Sequence, residues 1–200
     1  MREGYNMKQE INEERVAALI RELLIELGEN PNRPGLLETP DRVARMYQEV
    51  FEGIRYSNHE IAEKFGKVFE EVKTGSLVTV THIPIFSYCE HHLALMYNMD
   101  VSVGYIPNNK VIGLSKVARI ADLVGKRLQL QERIGDDIRE ILEEVLDTKD
   151  IIVVIRGEHA CMTSRGIRKP GTITKTASLG GIFETDIPLR QEFYSLLTMQ

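Results

Sequence analysis

The sequence contains no apolar run that approaches the ~20 residues a helix needs to cross a bilayer, so a membrane protein is not expected. Residues 1–14 are polar and mixed in charge, and they lack the apolar core of a secretory signal. We therefore expect a cytoplasmic protein. Hydrophobic residues make up 42% of the chain and charged residues 28%, a balance typical of a folded globular protein rather than a disordered one.

An excess of positive charge is also missing, since the formal net charge is −5. Nucleic-acid-binding domains are usually basic, so a nucleic-acid polymer is not an expected partner. An anionic small molecule stays possible because local charge clusters matter more than the total. Neither a Walker loop nor a G-x-G-x-x-G loop occurs, so side chains would have to hold any phosphate group.

Cysteine is scarce as well: the chain has only two, Cys89 and Cys161. A disulfide between them is conceivable, but reduced thiols are expected in the cytoplasm. Both cysteines stand beside histidines, in Cys89-Glu90-His91-His92 and in His159-Ala160-Cys161. Three of the five histidines thus join the two thiols in two short clusters, which favours a metal site over chance.

Thiolate and imidazole are ligands that suit zinc. Cys89 and His92 are three residues apart, and a tight turn or a helical turn would place them on one face. A strand predicted over 151–161 would point His159 and Cys161 the same way. If the clusters meet, three protein ligands leave the fourth zinc position open for water, as in catalytic sites. The alternatives without a metal are that Cys161 is simply packed in the core and that His159 is a histidine with its hydrogen bonds satisfied elsewhere.

Periodicity predicts an α+β fold with an antiparallel sheet and helices on one face. A boundary near position 58 would separate an N-terminal helical segment, 1–58, from a catalytic part, 59–200. Thr39 is the expected N-cap of the helix predicted over 39–53, and Ser115 that of the helix predicted over 115–127. The predicted helices cover 13–27, 39–53, 115–127 and 131–146, and the predicted strands 77–83, 99–106, 151–161 and 172–182.

Basic residues recur where loops meet helices: Arg42, Lys116, Arg119 and Arg165. Each alone is more plausibly a solvated surface charge, but together they could hold phosphate groups. Glu132, near the start of a predicted helix, is either a favourable N-terminal charge or an acceptor for two adjacent ring N–H donors, such as those of guanine. The residue types leave that choice open.

The chain resembles type I GTP cyclohydrolase, and the likeness covers nearly all of it from about Glu13. No single motif is specific, but all occur in the family's order. A departure is Leu93-Ala94-Leu95-Met96, where many members have a stretch containing Pro and Phe. The motifs are Thr39-Pro40-Asp41-Arg42, Cys89-Glu90-His91-His92, Tyr105-Ile106-Pro107, Gly113-Leu114-Ser115-Lys116, Gln131-Glu132-Arg133, His159-Ala160-Cys161 and Arg165-Gly166.

The resemblance implies a tunnelling fold, in which antiparallel sheets and paired helices of several subunits complete a barrel. It implies a homo-oligomer, typically a decamer of two pentamers, with sites at subunit interfaces. It also implies that zinc binds to Cys89, His92 and Cys161. The activity would be hydrolysis of GTP at purine C8, which releases formate and forms 7,8-dihydroneopterin triphosphate, the first step of pterin and folate synthesis.

The family's other site residues carry over position by position. Glu132 would anchor the guanine ring, with Gln131 nearby, and Ser115 would help to seat the ribose. His91 and His159 would transfer protons. The triphosphate would be held by Lys116, Arg119 and Arg165, with Arg42 from a neighbouring subunit.

Other functions remain open at this point. A nitrile reductase of the same fold would use a catalytic cysteine and NADPH without these zinc ligands. A zinc deaminase would need H-x-E with P-C-x-x-C, which is missing. A non-catalytic pterin-binding paralogue would be expected to lose His91 or His159, and both are present. A purely structural zinc protein would unfold when its metal is removed.

Overall fold

The computed structural model describes residues 10–70 and 75–199. Most of the predicted polar stretch at 1–14 therefore lies outside the described residues, as does the start of the predicted segment 1–58. Within the described ranges, no helix combines the length and the apolar character that crossing a membrane requires.

Five strands form the main sheet, in the order β5-β2-β3-β6-β7. Neighbouring strands are antiparallel except the short β5, which pairs parallel with β2. β1 and β4 form a separate antiparallel pair. The strands are β1 Val68–Glu70, β2 Val78–Cys89, β3 Ala94–Tyr105, β4 Lys110–Ile112, β5 Leu128–Gln129, β6 Ile151–His159 and β7 Thr174–Leu179.

Helices cover both faces of this sheet. α4 packs against β2, and α5 packs against β6 and β7, where Ile134, Ile138 and Ile141 are fully buried. On the opposite face, Phe193 of α7 packs with Ile152 and Phe183. The helices are α1 Glu13–Glu26, α2 Thr39–Val50, α3 Asn58–Phe65, α4 Leu114–Gly125, α5 Gln131–Leu146, α6 Ala160–Thr163 and α7 Ile187–Leu196.

The α+β prediction is confirmed, and α5 has the predicted bounds. The two predicted N-caps are wrong. Thr39 is already helical and Glu38 stands at the cap without a side-chain cap bond, while Gly113 rather than Ser115 caps α4. The prediction that helices cover one face of the sheet is also wrong, because α7 covers the other face. α7 was not predicted from the sequence at all.

The strand predictions differ at the ends that carry the metal ligands. β2 and β3 are longer than predicted and meet in a turn at 90–93, so that Cys89 closes a strand. β6 stops at His159 and the chain enters α6 at Ala160. The prediction that His159 and Cys161 share a strand face is therefore wrong.

Arg127 joins the N-terminal helices to the rest of the chain. Its guanidinium donates to the carbonyl oxygens of Gly53 and Tyr56 and to the side chains of Asn58 and Asp137. Both charged groups are largely buried, with 13% of the Arg127 side chain and 17% of the Asp137 side chain exposed. These bonds do not show whether the chain divides at residue 58 into an N-terminal helical segment and a catalytic part. That boundary stays a prediction.

Candidate active site

The β2–β3 turn brings two of the predicted metal ligands together. The Leu93 N–H donates to the Cys89 carbonyl oxygen at 2.9 Å, and Leu93 adopts the left-handed conformation with φ of 51°. Cys89 is buried at the end of β2, while His92 in the turn is exposed. The turn, rather than a helix, therefore supplies the common face predicted from the three-residue spacing.

The third ligand arrives from β6 through strand pairing. β6 lies beside β3, with Met96 opposite His159, so the end of β6 stands next to the β2–β3 turn. The first turn of α6 then carries Cys161 to that point. The ligand atoms of Cys89, His92 and Cys161 all lie within 4.8 Å of one another.

This donor set fits a zinc ion. Zinc bonds to sulfur and nitrogen are about 2.0–2.3 Å long, which puts the ligand atoms of a tetrahedral ion roughly 3.3–3.8 Å apart. Because the ligand atoms here lie within 4.8 Å of one another, small side-chain rotations would bring them to that spacing. Two thiols and one imidazole are also the ligand types that zinc prefers, and three protein ligands leave one position open.

The surroundings of the Cys161 thiol favour its protonated form, and a nearby cation opposes this. Burial raises the pKa of the Cys161 thiol, the neighbouring Cys89 raises it further, and the Arg165 guanidinium acts in the opposite direction. Arg165 also lies against His92, with Nη1 at 2.8 Å from Nε2. The predicted phosphate ligand Arg165 is therefore beside the metal group, where its charge favours thiolate.

His159 is fixed by Gln131 rather than by the metal ligands. Gln131 is buried, and its amide nitrogen donates to the carbonyls of Ile155 and Thr174 and to the Thr176 hydroxyl. Its amide oxygen therefore faces His159 Nε2, at 2.9 Å. An oxygen can only accept, so Nε2 carries the hydrogen and Nδ1 of the neutral ring is left as the acceptor. Burial lowers the pKa of His159, although Glu132 opposes this, so the neutral ring is favoured.

Sequence reasoning missed two residues that shape this site. Arg133, in the first turn of α5, binds both carboxylate oxygens of Glu90, at 2.6 and 3.3 Å, and so ties the turn of the metal ligands to α5. Gly157 leaves room for the Gln131 amide, because a Cβ there would lie 3.2 Å from Gln131 Oε1 and 2.9 Å from Met99 Cγ. Glu90 and Arg133 are 43 residues apart, so no local sequence pattern signals their pairing. Gly157 did offer a signal, because a glycine inside a strand pattern often marks a place where another group approaches the backbone closely.

The other predicted site residues divide into two groups. His91 is exposed, with its ring centroid 6.2 Å from that of His92, and Glu132 is exposed and close enough to influence His159. Among the described residues, no hydrogen bond or ion pair joins the remaining predicted residues to the metal group. Ser115, Lys116 and Arg119 lie on α4, and Arg42 lies on α2, where it pairs with Glu38.

Comparison with known proteins gives a consistent result. A model of the family described as GTP cyclohydrolase I matches residues 16–198. The GTP cyclohydrolase 1 of Clostridium beijerinckii is 56% identical over 199 residues, covering 97% of this chain and 100% of that protein. The enzyme of that name from Clostridium acetobutylicum is 59% identical, with 88% and 93% covered. The one from Ruminiclostridium cellulolyticum is 58% identical, with 93% and 98% covered.

Proposed function

Since this chain belongs to the GTP cyclohydrolase I family, we propose that it hydrolyses GTP at purine C8, releasing formate and forming 7,8-dihydroneopterin triphosphate. The observation that supports this most directly is the convergence of Cys89, His92 and Cys161 beside a histidine whose tautomer is fixed. Such a site suits hydrolysis, because a metal position open to solvent and a proton acceptor lie together.

Zinc is the proposed metal, on the chemistry of its three donors. Bound by Cys89, His92 and Cys161, it would supply a Lewis acid that activates water near neutral pH. Two thiols and an imidazole also make magnesium and calcium poor candidates, since both prefer oxygen ligands.

The two histidines have different proposed roles. His159 presents Nδ1 as an acceptor because Gln131 holds its Nε2–H, so it can take a proton during hydrolysis. His91 is exposed beside His92 and is the proposed donor to the purine ring nitrogen as the C8–N bond breaks. After formate leaves, the ribose rearranges and the ring closes again to give the pterin.

Substrate contacts are proposed for the exposed charged residues. The Glu132 carboxylate can accept from guanine N1–H and the exocyclic amino group, and it lies near His159. Lys116, Arg119 and Arg165 would hold the triphosphate, Ser115 the ribose, and Arg42 would act from a neighbouring subunit. Gln131 was predicted to lie near the guanine, and we propose that it acts through His159, which already occupies its amide oxygen.

A homo-oligomer in the cytoplasm, a decamer of two pentamers, completes the proposal. β7 ends the strand order of the described sheet, so one of its edges is available for pairing with another chain. α1 exposes several large apolar side chains that a second copy could cover. They are Leu19, Leu23 and Ile25.

The alternative functions have less support. A nitrile reductase of this fold would not need the Cys–His–Cys group. A non-catalytic pterin-binding paralogue would not need His159 in a fixed tautomer. No separate observation on the described residues favours either one.

The test is incubation of the purified protein with GTP, with formate measured directly and the pterin measured by fluorescence after oxidation. His91→Ala should abolish turnover while the metal content stays that of the unaltered protein. His59→Ala is the matched control, because His59 lies on α3 and pairs with Glu144. Full activity in His91→Ala would refute the role of that residue, and no formate from the unaltered protein would refute the function.

A further inference from the structure

A second cavity lies between α7 and the sheet, away from the candidate active site. It has a volume of about 450 Å³, the size of many small-molecule sites, and we call it the α7 pocket. It shares no residue with the Cys–His–Cys group. Its lining residues include His82, Asp100, Arg156, Lys175 and Tyr194.

Strand register sets a row of charges along this pocket. Asp100 on β3 lies opposite Arg156 on β6, and Arg156 lies opposite Lys175 on β7. Alternation along β6 places Arg156 on the same face as Ile152, which packs against α7. Two cations that face each other directly across antiparallel strands repel, which is unfavourable unless an anion lies between them.

The nearby Asp100 carboxylate is bonded to other side chains and not to these cations. Asp100 Oδ2 lies 2.9 Å from His82 Nδ1, and Asp100 Oδ1 accepts from the Ser102 hydroxyl at 3.4 Å. Neither the Arg156 nor the Lys175 side chain has a hydrogen bond or ion pair with any of the residues at 10–70 and 75–199. Both are exposed and therefore available to a ligand in the pocket.

The backbone conformation of His82 indicates that the side chains of this pocket are specifically positioned. His82 adopts the left-handed conformation with φ of 58°, which is rare for a residue other than glycine. It sits at the irregularity in the β2–β3 register between Val80 and Ile83. That bulge directs the imidazole to Asp100, and strained positions of this kind cluster at binding sites.

We propose that the α7 pocket binds a small phosphorylated molecule, whose phosphate bridges the Arg156 guanidinium and the Lys175 ammonium. The planar guanidinium can contact two phosphate oxygens, and the ammonium supplies a second charge. The apolar part of the ligand packs against Val154, Ala177 and Leu197 and the Tyr194 ring. The pocket therefore has both a charged end and an apolar wall.

Calorimetric titration with inorganic pyrophosphate tests the proposal. The background is Lys116→Gln with Arg165→Gln, which removes cations of the proposed GTP site and leaves the pocket intact. We expect saturable binding in that background, and a loss of at least about tenfold in affinity when Arg156→Gln and Lys175→Gln are added. Lys110→Gln is the matched control, since it removes one cation from β4, and it should leave the affinity unchanged.

Circular dichroism and light scattering accompany the titration. Equal pyrophosphate affinity with and without Arg156 and Lys175, in folded protein, would overturn the proposal, as would no binding in the background. A change in assembly mass on replacing the two cations, without any pyrophosphate heat, would show that a second copy neutralises them and would also overturn it. GTP turnover is measured separately, so this outcome and the proposed activity fail independently.

Discussion

At the scale of single residues, the buried amide of Gln131 decides which nitrogen of His159 is free. The two backbone carbonyls that it binds leave its oxygen no other orientation, so the tautomer follows from β6 and β7 rather than from solvent. A side chain that is 1% exposed thus sets the hydrogen-bonding state of the histidine proposed to take a proton.

Gln131→Leu should lower kcat by about 10- to 100-fold, in the range seen when supporting partners of site residues are lost. The histidine keeps its place but loses the acceptor that fixes its Nε2–H. Two carbonyls and a hydroxyl also lose a donor, which costs about 1–3 kcal/mol of stability. Steady-state kinetics with a thermal melt separates the two effects, and an unchanged kcat in folded protein would contradict the positioning role.

Cys161→Ser should empty the metal site, because a hydroxyl is a poor zinc ligand. In the unaltered protein, zinc must displace thiol protons, and the raised pKa of Cys161 keeps that proton bound to higher pH. Zinc affinity should therefore fall as the pH is lowered. Metal analysis after dialysis at mildly acidic and mildly alkaline pH measures both effects, and pH-independent retention would speak against thiolate ligation.

At the scale of elements, periodicity predicted the helices that pack on the core. It did not predict where the strands end at the candidate site. α5 was predicted with its correct bounds because Ile134, Ile138 and Leu142 recur at four-residue steps. The end of β6 was not, because the β-branched run stops at Ile155 and does not show where, within the residues that follow, the strand gives way to α6. Propensity cannot detect such a turn, since tertiary contacts fix it.

The convergence of the three candidate ligands, in contrast, was predictable from the sequence. Cys89, His92 and Cys161 converge as predicted, although the reason given for Cys161 was wrong. The pairing of Glu90 with Arg133 was not predictable, because it joins distant parts of the chain. Gly157 did carry a signal, since a glycine inside a strand pattern marks a close approach, but its partner Gln131 could not be read from the sequence.

α3 offers a test of local signals. The Ser57 hydroxyl accepts from the Glu60 N–H while the Glu60 carboxylate accepts from the Ser57 N–H, which forms a capping box. Ser57→Ala should destabilise the protein by about 1 kcal/mol and lower its melting temperature. Ser195→Ala on α7 serves as the control, because the Ser195 hydroxyl donates only to the carbonyl oxygen of Gln191 within the helix and caps no helix end. Equal melting temperatures for the two variants would show that the box adds nothing.

At the scale of the whole molecule, Arg127 connects the N-terminal segment to α5, through hydrogen bonds to the former and an ion pair with the latter. Asp137 accepts from Arg127 at 2.8 Å and from Gln129 at 2.7 Å. Arg127→Met would leave that largely buried carboxylate without its cation, at a cost of about 3–5 kcal/mol. The double variant Arg127→Met with Asp137→Leu should recover most of the loss. Denaturant unfolding compares them, and a double variant no better than the single one would show that the backbone bonds of Arg127 matter more than its charge.

The pairing of β3 with β6 has a consequence for how the protein comes into being on the ribosome. Cys89 and His92 emerge early, at the turn between β2 and β3, while Cys161 follows only after α4, α5 and β6 have been made. A nascent chain that stops short of α6 holds two of the three donors and can grip an ion only weakly. The complete donor set therefore forms only once β6 has been synthesised and paired with β3, before β7 has left the ribosome.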